Sequence, residues 1–115
     1  MEKEFVPYEL ALRMKQLRFN ERCIMHWWKG KLSYYQMGDF SPTHTSAPIY
    51  SQAFRWFREK YGLIGWVEGK RMFMYRIESS IESDGQLDCS PFRTYEEAEL
   101  ECLEKLIEIV EQKEK

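Results

Sequence analysis

Residues 47–62, APIYSQAFRWFREKYG, read as one helix with a start signal, a stop signal and two differently aromatic faces. Pro48 stands at the first helical position, where its missing N–H costs nothing and its fixed φ is already helical. Gly62 stands where the chain must turn left-handed to leave the helix. Tyr50, Ala53, Phe54, Phe57 and Tyr61 recur every three or four residues and form one apolar stripe. Arg55, Trp56, Arg58, Glu59 and Lys60 fall off that stripe. A tryptophan flanked by two arginines on the less buried side of a helix is more than a core needs, so this face is read as a binding surface.

Two more helices follow from the same logic. One is predicted from Pro7 to about Leu17, with Leu10, Met14 and Leu17 as its stripe and Ala11 beside them. The other opens with Thr94 as N-cap and Glu97 three residues on, a capping box. Its stripe is Ala98, Cys102, Leu103, Leu106, Ile107 and Val110, and Glu101 is placed to pair with Lys105 one turn later. Each predicted helix opens with Tyr-x-x-Ala, at Tyr8, Tyr50 and Tyr95. A tyrosine and a small residue suit any first turn that packs on a sheet, and the intervening segments share no residues, so this is not read as a repeat.

Between the helices lie strand patterns. Arg22 to Trp28 alternates Cys23, Met25 and Trp27 on one face with Ile24, His26 and Trp28 on the other, which fits a central strand or an interface strand. Lys29-Gly30-Lys31 supplies a turn and Leu32 to Met37 the returning strand, followed by a polar loop over Gly38 to Ser46. Gly65 to Val67 and Arg71 to Glu78 flank a second hairpin turn at Glu68-Gly69-Lys70, and Asp84-Gly85 precedes a short strand over Gln86 to Cys89. The order α-β-β-α-β-β-(β)-α predicts an α+β fold: a small antiparallel sheet built from hairpins, with three helices. No linker or low-complexity tract interrupts residues 1–115, so one globular domain is expected, able to bury roughly two-thirds of its unfolded surface.

The net charge of −2 conceals a polarity along the chain. Residues 53–77 carry six Lys/Arg against two Asp/Glu, whereas residues 78–115 carry four against twelve. The acidic third argues against duplex nucleic acid as a partner, while the basic middle suits a small anion. Three cysteines without a Cys-x-x-Cys pair, no leader pattern and no apolar run near the ~20 residues of a membrane span predict a cytoplasmic protein with no membrane contact.

No catalytic signature stands out. There is no nucleophile elbow, phosphate-cradling glycine loop, paired zinc histidines or EF-hand loop, so no enzyme, cofactor or metal is expected. His26 lacks further ligands at metal spacing and reads as a structural histidine. The candidate ligand-binding set is therefore aromatic and cationic: Arg55, Arg58, Arg71 and Arg76 to hold phosphate, and Trp28, Tyr35 and Trp56 to stack a base. The same residue types also dominate protein–protein hot spots.

Three stretches, FVPYELALRMKQLRFNE, APIYSQAFRWFREKYGL and TYEEAELECLEKLIEIV, resemble small, functionally uncharacterised accessory proteins of bacteriophages, prophages and mobile elements. The resemblance implies a setting in the cytoplasm of a bacterial host and no chemistry. Accessory proteins of this size commonly counter host defence. The expectation is a non-catalytic protein that sequesters a nucleotide-like anion, in a pocket shared between protomers of a homo-oligomer. The alternatives are a module that masks a host protein, or a structural viral protein that self-associates through Cys23 to Trp28.

Overall fold

A computed structural model describes residues 2–34, 45–79, 87–88 and 91–114. The chain divides into two compact units, residues 1–50 and 51–115. Helices and antiparallel hairpins make up both, as the predicted α+β class requires.

The first unit contains a 3-10 turn (Glu2–Glu4), helix α1 (Tyr8–Gln16) and strands β1 (Met25–Trp28), β2 (Lys31–Tyr34) and β3 (Thr45–Ala47). Pro7 is the N-cap of α1 rather than its first residue: its ψ of 154° is extended, and its carbonyl accepts the first helical bond from Ala11 N–H at 2.8 Å. The helix ends in a Schellman motif. Phe19 N–H donates to the Met14 carbonyl and Arg18 N–H to that of Lys15, with Arg18 at φ 74° in the left-handed position. Met14 and Phe19, the two side chains such a motif usually joins, are both buried.

The strand order is β2-β1-β3, all antiparallel, so β1 is the central strand. Both of its edges are paired, which removes it as a backbone template for a second copy. The unpredicted strand is β3. Thr45-Ser46-Ala47 carries no hydrophobic alternation, but its register with Met25, His26 and Trp27 fixes it as strand. Trp28 and Lys31 face each other across a two-residue turn in which Lys29 (φ 51°) and Gly30 (φ 77°) are both left-handed. This is the hairpin turn whose twist matches that of its strands.

The second unit carries most of α2 (Tyr50–Tyr61), then β4 (Leu63–Gly69), β5 (Phe73–Ser79), β6 (Leu87–Asp88) and α3 (Tyr95–Lys113). Helix α2 starts two residues after Pro48 and ends where expected, with Gly62 at φ 67°. The order β4-β5-β6 makes a second three-stranded antiparallel sheet. Gly65 of β4 lies beneath both helices of this unit: a Cβ there would sit 3.0 Å from Cys102 Sγ, 3.1 Å from Leu106 Cδ1 and 3.6 Å from Phe54 Cδ1. Cys102 is fully buried, as a small core residue should be. Thr94 caps α3 by accepting from Glu97 N–H at 3.1 Å, while Lys105 pairs with Glu108 rather than Glu101. In all three helices the opening tyrosine is the first helical residue and the alanine three places on is buried.

Two substitutions test the backbone reading. A Cβ on Gly69, at φ 133°, would overlap the Met72 carbonyl oxygen, whereas one on Gly30 meets nothing within 4 Å. Gly69→Ala is expected to cost about 2 kcal/mol or more and Gly30→Ala no more than about 1, read as shifts of the urea midpoint. Arg18→Gly relieves a left-handed arginine and should stabilise by about 1 kcal/mol in the same measurement.

Candidate functional site

Arg55, Trp56, Arg58, Arg71 and Arg76, the expected ligand-binding residues of the second unit, do not form one site. Trp56 is the main correction. It is only 6% exposed, with its ring edge-on to Phe57 at 4.9 Å and to Tyr61 at 5.4 Å. The buried arc of α2 is therefore wider than one stripe, and this tryptophan offers no face for stacking a base. Lys60 lies 4.9 Å from its ring, a cation covering the aromatic. Arg55 and Arg58 are exposed on the same helix.

Arg76 projects from the other side of the second sheet. Gly65 and Ile77 are register partners on the face toward the helices, so Trp66 and Arg76, paired one position away, lie on the opposite face. There the Arg76 guanidinium donates to Glu68, and Trp66 Nε1 donates to the same carboxylate at 3.3 Å. The Trp66 N–H, then the Arg76 guanidinium, hold the Glu68 carboxyl below its ordinary range. Arg76 is thus charge-matched and separated from the α2 arginines by the sheet. Arg71 is exposed in the β4–β5 turn. Tyr35 lies outside the described residues.

Trp28 lies at the tip of the β1–β2 hairpin. It is 40% exposed, and the Lys29 ammonium sits 4.5 Å from its ring centroid. Two further large apolar side chains are exposed nearby in sequence, Ile24 at 75% and Tyr34 at 65%. Lys31 is exposed directly across from Trp28. What sequence reasoning missed is the left-handed Lys29, which brings its ammonium to the ring; Lys-Gly at a hairpin turn was the available signal.

A second feature lies on the same sheet. His26 pairs in register with Ser33 on one side and Ser46 on the other, making a Ser-His-Ser row across one face. His26 is only 5% exposed, the buried residue the sequence reading expected. A cavity of about 170 Å³ adjoins it, lined by residues 20–23, Met25, His26 and Ser46. Cys23 Sγ donates to the Glu21 carbonyl at 3.5 Å in its wall.

Among the described residues no three His, Cys, Asp or Glu side chains converge as a metal site needs, and no helix is long and apolar enough to cross a membrane. Compared with family models, curated proteins and solved structures, the chain matches none.

The carboxyls of the second unit give opposite pH slopes. Partial burial, then Glu96, raises Glu99; partial burial, then Glu104 and Glu108, raises Glu101. A raised carboxyl holds its proton longer folded than unfolded, so it erodes stability as pH climbs from the unfolded to the folded value. Glu68, depressed, contributes stability above its unfolded value and loses it as pH falls through the folded one. Glu99→Gln should therefore raise the neutral-pH melting midpoint slightly, and Glu68→Gln should lower it slightly and flatten the acid limb. Thermal melts between pH 3 and 8 check both signs.

Proposed function

We propose that the protein is a non-catalytic binding module that masks a host protein, with the tip of the β1–β2 hairpin as its recognition surface. The observation that carries this reading is the strained, aromatic tip itself. Lys29 holds a left-handed backbone that ordinarily falls to Asn or Gly, at a cost of about 1 kcal/mol, and thereby places its ammonium over an exposed tryptophan. Backbone strain of this kind concentrates where function overrides stability.

Shape favours a protein over a small molecule. Small ligands are held in concave sites of roughly 300–1,000 Å³, and a two-residue hairpin tip is convex. The cavity of about 170 Å³ is too small to enclose a nucleotide. Exposed Trp28 with Lys29 and Lys31 is instead the anchor-and-rim chemistry of a protein interface, suited to a partner surface that is apolar and acidic. The resemblance of the three helical stretches to viral accessory proteins supplies the setting, in which such masking would act against host defence.

A nucleotide-like anion is the second reading, favoured by Lys29 and Lys31 beside the Trp28 ring. It predicts calorimetric heat with nucleotides that disappears in Lys31→Ala.

The masking reading is tested by variant-dependent capture. Trp28→Ala should weaken capture of a stoichiometric host partner by about tenfold or more, and Lys31→Ala by less, with unchanged circular dichroism. Lys29→Asn should stabilise the fold yet weaken capture, the trade expected of a strained contact residue. Capture that is equal in all three variants rejects the hairpin as the surface.

A further inference from the structure

Of the strands that end the two sheets, β2 has four residues, β3 three and β6 two, whereas β4 has seven. A short edge is one way a protein avoids pairing with other chains; lysine, proline and bulges are others. The sequence of β4, LIGWVEG, has no lysine or proline, and its register with β5 runs unbroken from Leu63 to Gly69. Among the described residues it pairs with β5 alone. A neighbouring bridge shows which of its peptide groups are open. Phe73 N–H donates to the Phe92 carbonyl at 2.9 Å, and Phe92 N–H donates to that of Phe73 at 2.7 Å, so Phe73 turns its peptide groups away from β4. Phe73 and its register partner Gly69 are therefore a non-hydrogen-bonded pair. Alternation then places the N–H and C=O of Leu63, Gly65 and Val67 on the outer edge. Ile64, Trp66 and Glu68 bond to β5 and carry their side chains on the face away from the helices.

We infer that β4 is the interface strand of a homodimer, pairing antiparallel with β4 of a second copy about a two-fold axis at Trp66. A second copy is favoured over a foreign strand because this register is complementary to itself. It engages all seven residues of both strands: Gly65 lies opposite Val67, Ile64 opposite Glu68, and Trp66 opposite Trp66 of the second copy. No like charges meet. Glu68 is the one charged residue of the strand, and it arrives already paired with Arg76, so the interface takes in no lone charge. The two tryptophans meet at a non-hydrogen-bonded position, where side chains across an antiparallel pair come closest. Such a contact is isologous and closes on itself, so it stops at the dimer. Strand β1 offers no such edge, since both of its sides are paired. One strand pair falls short of the ~1,200 Å² that stable interfaces bury, so the dimer is weak and depends on concentration.

The experiment is sedimentation velocity of the full chain from about 5 to 500 µM, a span that covers weak self-association. The mean mass should climb from monomer toward dimer. Val67→Pro removes only an outward N–H, where an edge strand tolerates proline. It should weaken the dimer by about tenfold or more with unchanged circular dichroism. Ile64→Lys and Ile64→Glu lose the same apolar contact but set opposite charges against Glu68 of the second copy. The lysine variant should dimerise at least about fivefold more tightly than the glutamate variant, because the two-fold axis repeats the contact. A monomer at every concentration overturns the proposal. So does a dimer that Val67→Pro leaves unchanged, or one in which the two Ile64 variants behave alike. Should Val67→Pro fail to fold, the Ile64 pair still decides the outcome. The hairpin tip lies in the first unit, so loss of the dimer and loss of capture are separate results.

Discussion

The first unit depends on how the peptide groups flanking one buried residue, Val6, are held. Its N–H donates to the Pro48 carbonyl at 2.8 Å, and its own carbonyl accepts from Trp27 Nε1 at 3.0 Å. Three segments far apart in sequence are thus tied together: the approach to α1, the central strand, and the residues that lead into α2. An antiparallel bridge between Phe5 and Ile49 and the edge-on contact of Tyr8 with Trp27 reinforce the clasp. Buried backbone groups must be satisfied, so this arrangement leaves little room for slippage. Anchoring Trp27 settles the face of every other residue in β1. His26 and Trp28 must then project from the opposite face, the first beside the cavity and the second at the hairpin tip. A slip of one residue would exchange the two sets.

The same unit holds two cationic residues in the left-handed region, Arg18 and Lys29. Glycine would serve either position with less strain. Lys29 has a compensating contact in the Trp28 ring. Nothing in the structure explains the choice of arginine at position 18. The contrast matters because the two positions are alike in backbone geometry and differ in what the side chain meets. Strain alone is therefore not the argument for a recognition surface; strain that delivers an ammonium to an exposed aromatic is.

Helices were legible because their signals are local. The Thr94 cap, the Gly62 exit and the stripes at three- and four-residue spacing each lie within a few residues of what they specify. Residue spacing places Trp56 off the apolar stripe, beside Arg55 and Arg58, yet the structure buries it. Its burial beside Phe57 and Tyr61 depends on the width of the buried arc, which sequence spacing does not set. Lys-Gly marks the first hairpin turn correctly, whereas the second, expected at Glu68-Gly69-Lys70, lies at residues 70–72 because Glu68 and Gly69 still pair within β4; the expected turn at Asp84-Gly85 lies outside the described residues. Strand β3 is not legible, since two small polar residues and an alanine look like loop until register with β1 makes them strand. The candidate site shares this limit. Trp28 was singled out for its type and position, while the serines flanking His26 lie in segments whose pairing no local pattern announces.

The redistribution of the expected binding residues changes the kind of ligand that makes sense. A nucleotide pocket requires stacked aromatic and arginine groups that converge and remain unpaired with each other. Here Trp56 has gone into the core, and Arg76 is matched by a carboxylate that also accepts from Trp66. A guanidinium already facing a carboxylate must exchange that partner for phosphate, which cancels much of the gain. Among the described residues, Trp28, Lys29 and Lys31 stay exposed together at the hairpin tip, where a two-residue turn fixes their geometry at little entropic cost. Such a rigid projection is suited to enter a depression on a partner, whereas enclosing a small molecule would require the walls that the tip lacks.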